Sequence, residues 1–321
     1  MSASPVDVVV SGGGIGGAVL AELLARRGKR VVVLERNTSP PTFLRPELLW
    51  PASIDVLCGL HPRETWETEV ALPVRGIRID YGRDPFAAIG EERLRAAGVA
   101  PWFVNPNDAR ELLLRRARFE VRRGVEVVSI LRAGDRVSGV RARDRATGKE
   151  DDVPARLTIG DDGEHSIVRA GCGIPLETRR FPVDFLCFGI EWPASFERGV
   201  ARVWIVPGGR RSGLVAFAAM PFVRGKGAGL LVVRGDAIDS GADLETPWRD
   251  LRAQIAEIGE VAGDRSPSRG MTRVRRHFGH APRYGCDGAF LLGDAAHPVS
   301  PAGGQGANMS IADARVLGRL L

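Results

Sequence analysis

Residues 6–36 constrain the fold more than any other stretch of the chain. Val6-Asp7-Val8-Val9-Val10 is β-branched and of strand length, Ser11 to Gly17 is a glycine-rich turn, Ala18 to Arg27 reads as a helix, and Arg30 to Leu34 is a second buried strand ending in Glu35-Arg36. Strand, turn, helix and strand within about thirty residues make a βαβ unit, the context that turns a glycine pattern into a fingerprint. Gly12, Gly14 and Gly17 satisfy G-x-G-x-x-G. The first allows the tight turn, the second lets the backbone approach a pyrophosphate, and the third lets helix and strand pack closely. Glu35 then falls where a carboxylate holds ribose hydroxyls. The unit predicts a dinucleotide site; the competing explanation is a glycine turn that binds nothing. NAD, NADP and FAD all use this fingerprint, although Glu35 disfavours a 2′-phosphate here. Arg36 beside it either lies over an adenine or is simply exposed.

A second informative stretch lies near the other end. Gly288-Ala-Phe-Leu-Leu-Gly293-Asp294-Ala-Ala-His297-Pro298 runs on through Pro301-Ala-Gly-Gly304-Gln-Gly306-Ala307-Asn308. It reads as a buried strand, a carboxylate at the strand's end, a Pro- and Gly-rich turn and a helix start. Glycines let a backbone approach a flat ligand where any Cβ would collide. Asp294 is placed to accept from hydroxyls, and free N–H groups at the helix start face something electron-rich.

Composition narrows the class. A chain of 321 residues with 44% hydrophobic content buries a large core, as one large domain or two interleaved ones. It has no apolar run of membrane-spanning length, and MSASPVD lacks the features of a signal peptide, so a soluble cytoplasmic protein without membrane partners is expected. Cys58, Cys172, Cys187 and Cys286 are scattered without C-x-x-C spacing, which indicates neither a disulfide framework nor a zinc site. The net charge of +6 comes almost entirely from arginines spread beside acidic residues. The densest basic run, Arg115-Arg116 to Arg122-Arg123, is expected on the solvated face of a helix. No basic run carries interleaved aromatics, so nucleic acid is not an expected partner. A diffuse positive field still favours an anionic cofactor or substrate.

Between the two stretches the pattern changes twice. Ser53 to Leu60 reads as a short helix, Pro73 to Tyr81 as a strand, Asp84-Pro85 as a turn and Ala109 to Val121 as a helix capped by Asn107 or Asp108. Strands are expected at 124–128, 137–143 and 155–159. The last delivers Gly160-Asp161-Asp162-Gly163-Glu164-His165-Ser166, another acidic strand end before a helix. Adjacent aspartates can ligate Mg²⁺, but no third carboxylate has metal spacing, so a turn or ligand contact is expected and no metal is assigned. His165 reads as local structure. From Phe181 to Arg234 alternating runs separated by glycine turns indicate an antiparallel sheet inserted into the α/β body. A helix from Pro247 to Ile258 follows.

These motifs together resemble the single-component group A FAD-dependent monooxygenases, the aromatic hydroxylases with the p-hydroxybenzoate hydroxylase fold. The resemblance rests on Gly12-x-Gly14-x-x-Gly17 with Glu35-Arg36, on Gly160-Asp-Asp162-Gly-x-x-Ser166-x-x-Arg169, and on Gly293-Asp294-Ala-Ala-His297-Pro298 with Pro301-x-Gly-Gly304-Gln-Gly306-x-Asn308, in order over nearly the whole chain. It implies an α/β fold: a Rossmann-like FAD-binding domain from residues 1–72, 101–178 and 270–321, with a mainly antiparallel substrate sheet from 73–100 and 179–269. It further implies that Gly12, Gly14, Ile15, Gly16, Gly17, Glu35 and Arg36 hold the ADP half of non-covalent FAD. Asp294, beside Gly293, would hold the ribityl chain, and Pro301, Gly304, Gly306, Ala307 and Asn308 would lie against the isoalloxazine. Arg45 and Arg110 match positions near the pyrophosphate or ribityl chain, and Asp162 matches a motif linked to FAD and NADPH. NADPH or NADH would reduce the flavin, O₂ would form a flavin C4a-hydroperoxide, and oxygen would pass to a small organic, aromatic or polyketide-like substrate. The protein would act as a monomer or homodimer.

Three departures stand out. Asp161 replaces the small residue usual before Asp162-Gly163, and its carboxylate would oppose NADPH approach. Tyr81 and Tyr284, the two tyrosines, do not form a phenol-activating pair. The sequence stops at Leu321 where relatives usually continue with further helices, which suggests a truncated form or a compact variant with an open or partner-completed pocket. Rival expectations are a nicotinamide dehydrogenase, which lacks its Tyr-x-x-x-Lys pair here; a flavin halogenase, which lacks its W-x-W; an FAD-dependent reductase of the same fold; and a silent FAD-binding scaffold. Trp204, Phe217 and Met220 are candidate pocket residues, with core packing the expected role of each.

Overall fold

The computed structural model describes residues 5–42 and 44–321. Val6–Ser11, Val31–Glu35 and Glu120–Arg123 pair in parallel, and Val6–Ser11 also pairs in parallel with the long strand Glu150–Gly160. That strand in turn carries Ala289–Leu291 on its far side. The central strands are apolar at successive positions because both faces are covered. Val8, Val10, Val31 and Val33 face a helical layer that includes Ile15–Ala25, Pro106–Arg115 and Gln305–Leu320. Val9, Val32 and Leu34 pack instead on Val127, Val140 and Val153. These last belong to an antiparallel meander of Val125–Ala133, Arg136–Asp144 and the first half of Glu150–Gly160.

The first and last helices touch through glycine. An alanine Cβ built at Gly16 would lie 2.1 Å from Ser310 Oγ and 2.8 Å from the Ser310 carbonyl oxygen. This approach brings the C-terminal helix to the fingerprint turn.

Among the described residues, seven strands form the second sheet, in the order Thr272–Val274, Val183–Glu191, Lys226–Arg234, Leu214–Pro221, Val200–Ile205, Gly76–Tyr81 and Asp84–Gly90. Neighbours are antiparallel except Val200–Ile205 with Gly76–Tyr81. The two faces alternate along each strand. Leu186, Phe188, Trp204, Phe217 and Leu231 point to one side, against Trp248, Leu251 and Ile258. Trp204 and Phe217 are stacked at a centroid distance of 5.7 Å and fully buried, so both are core residues. Phe185, Cys187, Met220 and Leu230 take the opposite face, towards the first body. Thr272–Val274 pairs with Phe185–Cys187 although it lies beyond residue 269. Asp184, fully buried at this edge, takes Arg180 Nη2 at 3.1 Å and Arg273 Nε at 2.7 Å on its Oδ2.

Three local expectations change. The helix expected over 109–121 is Pro106–Arg115, its N-cap is Asn105, and Glu120–Arg123 is an edge strand. The basic run therefore splits between a helix end, a loop and a strand. Asp84-Pro85 opens a strand, not a turn. The helix expected over 247–258 is broken at Ile255 into Glu245–Gln254 and Ala256–Ala262. Among the described residues no helix is long and apolar enough to cross a membrane.

Candidate cofactor and active site

Helix Ile15–Ala25 begins at Gly14 with no side-chain cap, so its first amides need other acceptors. The amide of Gly17 donates to Asp161 Oδ2 at 2.9 Å. Gly13 donates to Glu35 Oε2 at 3.1 Å, and the other oxygen of Glu35 accepts from the Asn37 amide at 2.8 Å. Arg110 Nη1 lies 3.5 Å from Glu35, while its Nε is buried without a hydrogen-bond partner among the described residues. The expected residues Gly12, Gly14, Ile15, Gly16, Gly17, Glu35 and Arg110 thus surround one turn. Arg36 is exposed and lines a separate shallow cleft with Thr38, Pro40 and Arg145.

The loop after Glu150–Gly160 closes the site from beside the first strand. Asp162 Oδ2 accepts from Ser11 Oγ at 3.2 Å and the Ile167 amide at 2.9 Å, tying the first strand to helix Ile167–Gly171. Burial pushes its carboxyl above the usual range, against the hydrogen bonds from Ser166 and nearby amides. Its Oδ1 has no partner among the described residues. Arg169, whose role the sequence did not reveal, donates to the Ala295 carbonyl at 3.0 Å and the Glu164 carbonyl at 2.8 Å. It locks this loop to the Gly293-Asp294 turn.

The C-terminal helix supplies the third side. Gly303 and Gly304 both have positive φ, +74° and +61°, and a Cβ at Gly304 would stand 3.0 Å from the Leu48 amide nitrogen. Asn308 donates from Nδ2 to the carbonyls of Leu48 and Gly304, both at 2.7 Å, and accepts the Trp50 amide at 2.9 Å. Its side chain is therefore spent on holding the turn in place. The Ala307 amide donates to Glu47 Oε2 at 3.3 Å, and Glu47 Oε1 pairs with Arg45 at 2.8 Å.

Between the bodies lies a cavity of about 170 Å³. Arg45, Asp294, Pro301, Gly304 and Gly306 form one wall; Phe185, Met220, Leu230 and Val274 form the other. Met220 is thus the one of the three candidate pocket residues that lines it. Arg276 also reaches in, 3.6 Å from Asp294 Oδ2, with its pKa lowered by burial and by neighbouring Arg45. Cys187, on the same wall, is an inert thiol pushed up to about 12 by burial. Tyr81 and Tyr284 do not line it, and both are 45% exposed. A larger cleft of about 680 Å³ at Glu69, Asp108, Glu111 and Arg224 carries none of the glycine motifs.

Asp313 braces the Asp294 turn from the C-terminal helix, accepting the Gly293 amide at 3.0 Å and His297 Nε2 at 2.7 Å. Burial holds the His297 imidazolium down, but the hydrogen bond and charge of Asp313 outweigh it and leave the ring above its ordinary value of 6.5. A raised folded pKa contributes stability that is complete below the unfolded value and lost as pH rises through the folded one. The urea midpoint is expected to fall from pH 6 to pH 9 by more in the wild type than in His297→Gln. Equal falls would show that the pair does not couple folding to protonation.

The geometry suits a flavin dinucleotide. Glycines open the backbone, Arg110 Nε and Asp162 Oδ1 lack partners among the described residues, and an apolar sheet faces the turn that bears Asp294. These features define a Rossmann-type flavoprotein with a second sheet facing the cofactor turn. Comparison with known proteins agrees: the family described as "FAD binding domain" matches residues 5–321. Rifampicin monooxygenase of Streptomyces venezuelae is 32% identical over 97% of this chain and 63% of its own length. The 6-methylpretetramide 4-monooxygenase of Streptomyces rimosus is 29% identical over 96% of this chain and 73% of its own. The crystal structure of PqsL from P. aeruginosa with 2-aminobenzoylacetate superposes with a TM-score of 0.81 at 23% identity, covering 98% of this chain and 86% of that one, a likeness of fold. The chain belongs to the family described as FAD binding domain, and FAD is its cofactor. It spans less than two thirds of the length of rifampicin monooxygenase.

Proposed function

We propose that the protein uses FAD, NAD(P)H and O₂ to hydroxylate or epoxidise a small aromatic or polyketide-like substrate in the cavity between its two bodies. One observation carries this reading: an apolar wall of Phe185, Met220, Leu230 and Val274 stands across about 170 Å³ from the wall bearing Asp294 and the Gly304–Gly306 turn. In this assignment Gly12 to Gly17, Glu35 and Arg110 hold the adenosine diphosphate half. Asp294 and Arg45 hold the ribityl chain, and the amides near Gly306 face the ring. FAD, once bound, supplies the electron storage and oxygen activation that side chains lack. The chain's own part is to place the ring beside the substrate, to keep water out through the apolar wall, and to set partial positive charge at the start of helix Gln305–Leu320. The segments 73–100 and 179–274 would form the substrate side. The substrates named for relatives, rifampicin and 6-methylpretetramide, support the aromatic or polyketide-like class.

The test is anaerobic stopped-flow of FAD-loaded protein with NADPH or NADH, against simple phenols, rifampicin and a tetracyclic polyketide, followed by ¹⁸O₂. Flavin bleaching accelerated by one substrate, with one labelled oxygen in its product, is the expected result. Bleaching with substrate reduction and no O₂ consumption would replace the reading with a reductase. Flavin that stays oxidised throughout would leave an FAD-binding scaffold.

A further inference from the structure

We propose that Asp161 is an internal competitor for the phosphate-binding turn, and that its charge sets how tightly the protein holds FAD. The inference rests on the FAD reading and concerns a residue to which neither the fingerprint nor the family gives a role.

Gly14 exists so that a pyrophosphate can come close to the backbone. The space its missing Cβ leaves is taken by Asp161: a Cβ there would lie 2.2 Å from Asp161 Oδ2. A Cβ at Gly17 would lie 2.7 Å from the same oxygen, which already accepts the Gly17 amide at 2.9 Å. The carboxylate therefore lies against the first turn of helix Ile15–Ala25, where amides and helix dipole favour one anion. A diphosphate arriving at that turn meets a negative group already in residence.

The surroundings sharpen the conflict. Asp162 from the same loop and Asp294 from the following turn are both close enough to oppose ionisation of Asp161. Arg110, from helix Pro106–Arg115, is the cation that favours it, and it is shared with Glu35 and Glu111. The C-terminal helix brings the Ser310 hydroxyl beside Gly16 and Gly293, and Asp313, which accepts the Gly293 amide. Burial, the largest effect, pushes the carboxyl well above the usual carboxylate range. Protonation removes the charge but keeps a hydrogen-bonding group, so the protonated form tolerates the diphosphate and the ionised form repels it. The diphosphate diester keeps its own charges across the neutral range; the carboxyl of Asp162 is raised too, but its Oδ2 is held by Ser11 and the Ile167 amide, and Asp161 is the carboxyl that lies against the turn.

The experiment is FAD titration of the apoprotein, followed by quenching of flavin fluorescence between pH 5 and pH 9, for wild type, Asp161→Asn and Asp161→Ala. Wild-type affinity should fall as pH rises, while both variants should stay level and bind about 10–100-fold tighter at the alkaline end, the scale of removing one charge a few ångströms from another at intermediate dielectric. Asp161→Asn keeps size and polarity, so a folding failure of the alanine variant alone does not decide the matter. Wild type and Asp161→Asn binding FAD equally at every pH would overturn the inference and leave the cofactor reading intact. No quenching in any of the proteins at any pH would overturn the cofactor reading and the inference with it.

Discussion

Gly12→Ala is expected to yield protein that purifies without FAD and melts well below the wild type. Gly12 has φ of +95°, where an L-residue costs about 1–2 kcal/mol. A Cβ there would lie 2.4 Å from the Asp161 carbonyl oxygen and 2.8 Å from its carbon. Both are backbone atoms of a loop held by Ser11 and the Ile167 amide through Asp162, so neither swings aside as a side chain would. Overpacking of this kind costs about 1–3 kcal/mol more. The summed loss, about 2–5 kcal/mol, falls on the turn that meets the cofactor. Gly28→Ala is the control, since φ there is +77° but nothing lies within 4 Å of the added carbon. Calorimetry and the ratio of flavin to protein absorbance read both effects. Equal losses in the two variants would show that the Asp161 contact does not confine the turn.

Asp184→Ala is the second large effect, and it concerns stability instead of the cofactor. Asp184 is fully buried and its Oδ2 serves both Arg180 and Arg273, on either side of the junction between Val183–Glu191 and Thr272–Val274. Removing it leaves Arg180 and Arg273 with the more exposed Asp239 as acceptor, and breaking a buried pair by deleting one partner costs at most about 3–5 kcal/mol. Asp184→Asn should lose less, because an amide oxygen still accepts. Asp239, which also meets Arg180 and Arg273, is more exposed, so Asp239→Ala should be milder. Urea denaturation of the three variants orders them; a loss at Asp184 no larger than at Asp239 would refute the assignment.

How much of this could be read beforehand depends on how local each signal is. Val6 to Glu35 was legible because strand, turn and helix are specified by neighbours in the chain. The sheet at 183–234 was legible as alternation, but alternation does not say which face meets which body. Only the fold shows that Trp204 and Phe217 point to the helices and Met220 to the cavity. The run from Arg115 to Arg123 was read as one helix since arginine tolerates helix and strand edge alike; pairing of Glu120–Arg123 with Val32–Glu35 decided the second half. The backbone at Asn308 was expected against the cofactor; that its side chain fixes this turn through Leu48, Trp50 and Gly304 could not be read from the sequence. The roles of Asp161, Arg169 and Asp313 come from contacts that join distant segments, and an aspartate in a loop or on a helix carries no mark of what it will touch.

The packing of the last helix on the first has a consequence for synthesis. Gly16 and Ser310 meet, and Gly293 is bonded to Asp313, so the turn that receives the dinucleotide is finished by residues translated long after it. The first strand also waits for a partner from beyond residue 150. A nascent chain holding only the early βαβ unit has its glycines but not their walls, and such long-range pairing forms slowly. Flavin capture therefore waits for the segment that carries Gly293, Ser310 and Asp313, and the cell's free FAD meets either a complete site or none.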